Sequence, residues 1–143
     1  MDREPLLLAF DVASRTGWAV GNKKGEIIEK GNFNCKSYVW AQGEFRRIIE
    51  KFKPTKIITA KPNRYYNVIR KQSEITGLLL EVAEEFKIPV DKTLVDKSCK
   101  KEVLGNGNST KDDIMAHFNC EQEDEADAMM FIAYYLKMNK WKK

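Results

Sequence analysis

Histidine and cysteine, the residues that most often hold transition metals or carry redox chemistry, are scarce in this 143-residue chain. His117 is the one histidine, and Cys35, Cys99 and Cys120 include no C-x-x-C pair. A zinc site and a redox dithiol are therefore poor expectations, and the thiols fit free cysteines in a reducing compartment. No continuous apolar run is long enough to cross a bilayer, so no membrane partner is expected. The start Met1-Asp2-Arg3-Glu4 is too acidic for a signal peptide, which predicts a cytoplasmic location. Linkers, internal repeats and low-complexity tracts are also missing, so residues 1–143 read as one domain.

What the chain does have is uneven positive charge. The formal net charge is +4, but Arg46, Arg47, Lys51, Lys53, Lys56, Lys61, Arg64, Arg70 and Lys71 crowd the middle. Lys97, Lys100 and Lys101 form a second group, and Lys140, Lys142 and Lys143 close the chain. This distribution favours a polyanionic partner.

The pattern of elements predicts an α/β fold. Leu6-Leu7-Leu8-Ala9-Phe10 is an apolar run that delivers Asp11 to the edge of a core, where a carboxylate needs a donor, a cation or water. Turns at Ser14 to Gly17 and Asn22 to Gly25 separate it from strands through Trp18-Ala19-Val20 and Ile27 to Phe33, an antiparallel meander. A helix from Val39 to Phe52 leads to a short buried strand, Ile57 to Ala60, as in a parallel crossover. Asn63 to Asn67 then form a basic, aromatic loop on the carboxyl side of that strand, where open α/β sheets place their sites.

The clearest helical period runs from Lys71 to Phe86, with Gly77 inside it at a cost of about 1 kcal/mol against alanine, a hint of close helix packing. One interrupted strand is expected from Ile88 to Val95, then a short helix to Leu104. Ser109 or Thr110 caps a helix ending near Phe118, and a last helix from Glu123 to Met138 buries Ala126, Met129, Met130, Ala133 and Leu136. Glu74 is expected to face solvent or a basic residue, and His117 to pack or cap at a helix end. Trp18, Phe33, Trp40 and Phe45 read as core or interface.

Asp124 and Asp127 lie three apart at the start of the last helix, so both carboxylates share a face. Acids in a first turn also oppose the helix macrodipole, and the pair by itself does not decide between that role and cation binding. Asp11 tips the balance. Three carboxylates in a chain with one histidine make the hard-oxygen donor set of Mg²⁺ or Mn²⁺, which supports hydrolysis at phosphorus.

The stretch from Leu8 to Val20 resembles the first strand and turn of the RuvC-type Holliday junction resolvases, members of the ribonuclease H-like superfamily. Lys100 to Lys111 is similar to the lysine-and-glycine segment of that family, Asp124-Glu125-Ala126-Asp127-Ala128 to its closing acidic helix, and Gln72 to Leu80 to its dimer-forming helix. The resemblance spans residues 6 to 137. It implies a mixed central sheet, an antiparallel three-strand meander followed by parallel strands, with helices on both faces. It also implies a homodimer, joined through the helix at about 71–86, that nicks four-way DNA junctions symmetrically with Mg²⁺ or Mn²⁺. Asp11, Asp124 and Asp127 would be the metal ligands, and Lys61, Arg64, Lys100, Lys101 and Lys111 would lie near DNA phosphates. Tyr65 and Tyr66 fall where related resolvases carry a residue that wedges into the junction, although packing of the loop explains them equally well.

One position departs from the family. Ala60 stands where the pattern has a catalytic glutamate, and alanine offers a cation no oxygen. Impaired cutting follows, either from an engineered inactivation or from a natural loss with an acid supplied from elsewhere. The other readings are a noncatalytic junction-binding protein and a related nuclease acting on flaps or RNA–DNA hybrids. The compact length fits a phage or viral form, which would place the protein in host cytoplasm.

Overall fold

The structure, a computed structural model, describes residues 4–62 and 66–141, apart from the side chains of 66–69. Its five-stranded sheet has the order β3-β2-β1-β4-β5, built from β1 (Leu7–Asp11), β2 (Arg15–Gly21), β3 (Ile27–Asn34), β4 (Lys56–Ala60) and β5 (Val90–Leu94). The first three strands pair antiparallel as a meander, whereas β1–β4 and β4–β5 are parallel. Thr16 closes the β1–β2 turn, its hydroxyl donating to the Ala13 carbonyl at 2.8 Å.

Strand alternation divides the apolar residues between two cores. Leu8, Phe10 and Ile57 face α1 (Tyr38–Phe52) and α2 (Tyr66–Glu85), where Phe10 meets Phe45 edge to face at 5.0 Å. Leu7, Ala9 and Ile58 face the opposite layer, made of α3 (Asp96–Leu104), α4 (Lys111–Phe118) and α5 (Glu123–Lys137). Both sheet faces are therefore covered, as a parallel core requires. Among the described residues no helix is long and apolar enough to cross a membrane.

Local chemistry explains the helix limits. The Ser37 side chain accepts from the Trp40 amide at the start of α1, and Lys53 ends the helix in the left-handed region at φ 46° before Pro54. Of the two expected caps for α4, Thr110 is the one used. It forms a reciprocal capping box with Asp113, whose carboxylate accepts from the Thr110 amide at 2.8 Å.

Four details differ from the sequence reading. The α2 helix starts at Tyr66, so Tyr66 and Asn67 lie in its first turn and not in a loop. Strand β5 is uninterrupted, with Pro89 before it, where its carbonyl accepts from Ile57 at 3.0 Å. Gly77 is not a packing notch within the protomer, because a Cβ there would meet nothing within 4 Å. On α5, Met129, Ala133 and Leu136 are half-buried, while Phe131, Ile132 and Tyr135 fill the core beside Ala126 and Met130.

Candidate active site

The site forms where β1 and β4 end beneath the first turns of α5. Asp11 is the last residue of β1 and follows Ala9 on the α5 side of the sheet. It pairs with Gly17 of β2, and that glycine is obligatory. A Cβ at Gly17 would lie 2.2 Å from the carbonyl carbon and oxygen of Asp124, so the missing side chain lets α5 rest directly on the strand. The amide of Gln72 donates to the Val12 carbonyl at 3.1 Å, fixing α2 against the other side of the β1 exit.

Asp11, Asp124 and Asp127 all line one cleft of about 320 Å³, as their spacing predicts. Ala60 lines it too. Phe10 is in register with Thr59, so the next pair along the parallel strands is Asp11 and Ala60, both directed toward α5. Lys61, Lys100 and Lys111 stand at the cleft wall. Lys101 is exposed on α3 and does not line this cleft. Arg64 and Tyr65 fall outside the described residues, as does the side chain of Tyr66.

A fourth carboxylate, Asp96, enters the cleft from the start of α3, where Lys100 pairs with it at 2.8 Å. Its place two residues beyond Leu94, the carboxyl end of a parallel strand, was the available signal in the sequence. Arg15 and Glu125 were also missed. Glu125 is 6% exposed and projects away from the cleft, held by Lys30 at 2.9 Å and by the side-chain amide of Asn32. Asn32 in turn accepts from Arg15 Nη2 at 3.1 Å, and Arg15 Nε lies 3.4 Å from Asp124 Oδ2.

The carboxylates oppose one another electrostatically. Burial, then the neighbouring charge of Asp127 with those of Asp124 and Asp96, raises Asp11 well above the ordinary carboxylate range. Asp11 keeps some open area toward the cleft, yet protein atoms surround it closely. Asp127 is raised to about 6, chiefly by burial, while the hydrogen bond from Asp11 and the charge of Lys111 hold it back. The two carboxyls therefore titrate as a coupled pair and share a proton.

A carboxyl raised on folding contributes stability that is complete below its unfolded value near 3.8 and is lost as pH climbs through about 6. In EDTA, the melting temperature of Asp11→Asn should exceed that of the unsubstituted chain at about pH 8 by the equivalent of about 2 kcal/mol, and by much less at about pH 4.5. Equal differences at both pH values would remove this electrostatic account.

The donor chemistry suits a hard divalent cation, because every cleft acid offers carboxylate oxygen. Among the described residues, however, no three His, Cys, Asp or Glu side chains are gathered as a ready metal cluster. Ala60 contributes no oxygen to the cleft, and Asp124 Oδ2 lies 3.4 Å from Arg15 Nε.

No protein-family model and no curated protein matches this sequence. Solved structures do resemble it in three dimensions. The RuvC structure from Thermus thermophilus superposes with a TM-score of 0.73 at 15% identity, over 94% of this chain and 96% of that one. T. thermophilus RuvC in complex with a Holliday junction substrate gives 0.73 at 13% identity over the same shares, 94% and 96%. At such identities the likeness is one of architecture, and together with the mixed sheet, its strand order and its two helical layers it assigns this chain the ribonuclease H-like fold.

Proposed function

We propose that the protein binds branched DNA, four-way junctions above all, and hydrolyses it with Mg²⁺ or Mn²⁺ at a rate limited by Ala60. The observation that carries this reading is the convergence of Asp11, Asp124 and Asp127 in one cleft walled by Lys61, Lys100 and Lys111. Acids that repel one another are retained at a cost, and a cation turns that cost into binding energy. The likeness in fold to a RuvC bound to a Holliday junction supports DNA as the ligand.

In this reading Asp11, Asp124 and Asp127 hold the ion, and the lysines bind the phosphates that flank the scissile bond. The bound ion supplies water activation and charge neutralisation on the departing oxygen. The shared proton must leave before both acids can act as ligands, so activity should rise with pH as the Asp11–Asp127 pair ionises. The second protomer of the expected homodimer docks on α2 around Gly77, whose open surroundings leave room for a close approach. Location in the cytoplasm and a phage or viral source remain parts of this proposal.

The test is a binding and nicking series on labelled four-way, duplex, flap and RNA–DNA hybrid substrates, in EDTA and then in Mn²⁺. The junction should bind in EDTA about tenfold or more tighter than duplex. Residual nicking should need Mn²⁺ and fall by at least about tenfold in Asp127→Asn. Junction binding with no nicking under any metal would favour the noncatalytic reading, for which Ala60 is the specific support. Preferential cutting of flaps or hybrids would move the substrate class.

A further inference from the structure

Beside the carboxylate cleft lies a second, more open one of about 500 Å³, and Arg15, Lys71, Lys111, Gln122, Glu123 and Asp124 line it. Lys111 and Asp124 line both clefts, so the two adjoin. Arg15 is the residue to follow. Its Nη2 donates to Asn32 at 3.1 Å and to Gln122 at 3.1 Å, its Nε donates to Asn32 at 3.3 Å, and the Nε contact to Asp124 is longer, at 3.4 Å. Asn32 is itself anchored by the buried Glu125, which Lys30 neutralises from the other side.

The guanidinium is thus aimed by β3 and by the start of α5, with its side chain still 52% exposed. Among the described residues no hydrogen bond uses Nη1. A side chain braced in this way, half open to a cleft with Lys71 and with Lys111, which also pairs with Glu123 at 3.5 Å, can receive a phosphate. Its longest contact is the one to Asp124, a carboxylate only 9% exposed that would serve a cation in the neighbouring cleft.

We infer that this second cleft is a DNA phosphate subsite, and that a phosphate seated on Arg15 frees Asp124 to complete the carboxylate site. The inference rests on the function proposed above and adds a regulation to it. DNA and divalent cation then bind with positive coupling, because each favours the arrangement in which Arg15 and Asp124 are apart. Coupling of this kind is reciprocal, so it is measurable from the metal side without any cleavage.

The experiment titrates Mn²⁺ by electron paramagnetic resonance, with and without a four-way junction carrying uncleavable phosphorothioate linkages, for the unsubstituted protein, Arg15→Gln and Arg15→Lys. Melting curves confirm that each variant is folded. The junction should tighten Mn²⁺ binding to the unsubstituted protein by about tenfold. Arg15→Gln should bind Mn²⁺ about tenfold tighter without DNA and gain little more when DNA is added. Arg15→Lys keeps the charge and loses the fork, and should restore part of the coupling. If Arg15→Gln leaves both the DNA-free affinity and the coupling unchanged, the subsite inference is overturned while the proposed function stands. If the unsubstituted protein binds neither Mn²⁺ nor the junction, both fall together.

Discussion

Replacing Ala60 by glutamate should raise the Mn²⁺-dependent rate of junction cleavage by on the order of 10²-fold. The strand pairing sets the direction of the new side chain: position 60 is the next pair beyond Phe10 and Thr59, on the face that Asp11 shares. A glutamate there would add a carboxylate to the cleft wall, on the strand between β1, which carries Asp11, and β5, which leads to Asp96. Ala60 is half-buried at the cleft wall, so a longer side chain can extend into the opening without displacing core residues. Single-turnover cleavage of a labelled four-way junction in Mn²⁺ and in Mg²⁺ is the measurement, and no gain with either ion would end the assignment. Asp96→Asn, run in parallel, distinguishes the two origins of the gap. If an acid from elsewhere has taken over, this substitution removes the residual cutting of the unsubstituted chain. If the gap was engineered, it changes that residue of activity little.

The second large effect is on stability. Gly17→Ala should cost about 3 kcal/mol or more, a fall in melting temperature of about 10 °C for a chain of this size. The added Cβ would sit 2.2 Å from the Asp124 backbone, where no flexible side-chain end can move aside. Either β2 bends or α5 lifts, and a lifted α5 carries Asp124 and Asp127 with it. Gly43→Ala is the control. It lies within α1 with nothing within 4 Å of a Cβ, and should gain up to about 1 kcal/mol from helix propensity alone. A Gly17→Ala protein that melts with the unsubstituted chain would show that α5 does not bear on β2 as described.

The convergence of Asp11 with Asp124 and Asp127 was legible in the sequence because each acid interrupts or caps an apolar pattern. A carboxylate ending a buried run and a pair three apart on a helix have few places to go. The meander, the parallel crossover and the helix caps were legible for a related reason, since turn and cap residues act within a few positions. Asp96 was less so: its one signal is its place just past the end of a parallel strand, and nothing else separates it from any acid opening a helix. The brace from Glu125 through Asn32 to Arg15 joins β3, β2 and α5, and its partners are 93 and 17 residues apart in the chain. Gly77 shows the opposite failure: a glycine inside a helix advertises a missing side chain but says nothing of what faces it.

The seating of α5 directly on β2 has a consequence for how such a protein can lose its activity. Asp124 and Asp127 line the cleft from a helix whose Ala126, Ala128 and Met130 are fully buried in the core beneath it, so displacing that helix disturbs the scaffold as well as the chemistry. Position 60 is only half-buried at the cleft wall, where a single substitution can silence the blade and leave the handle intact. On the function proposed above, a chain altered there would persist as a stable grip on branched DNA, able to shield a junction from other enzymes instead of severing it.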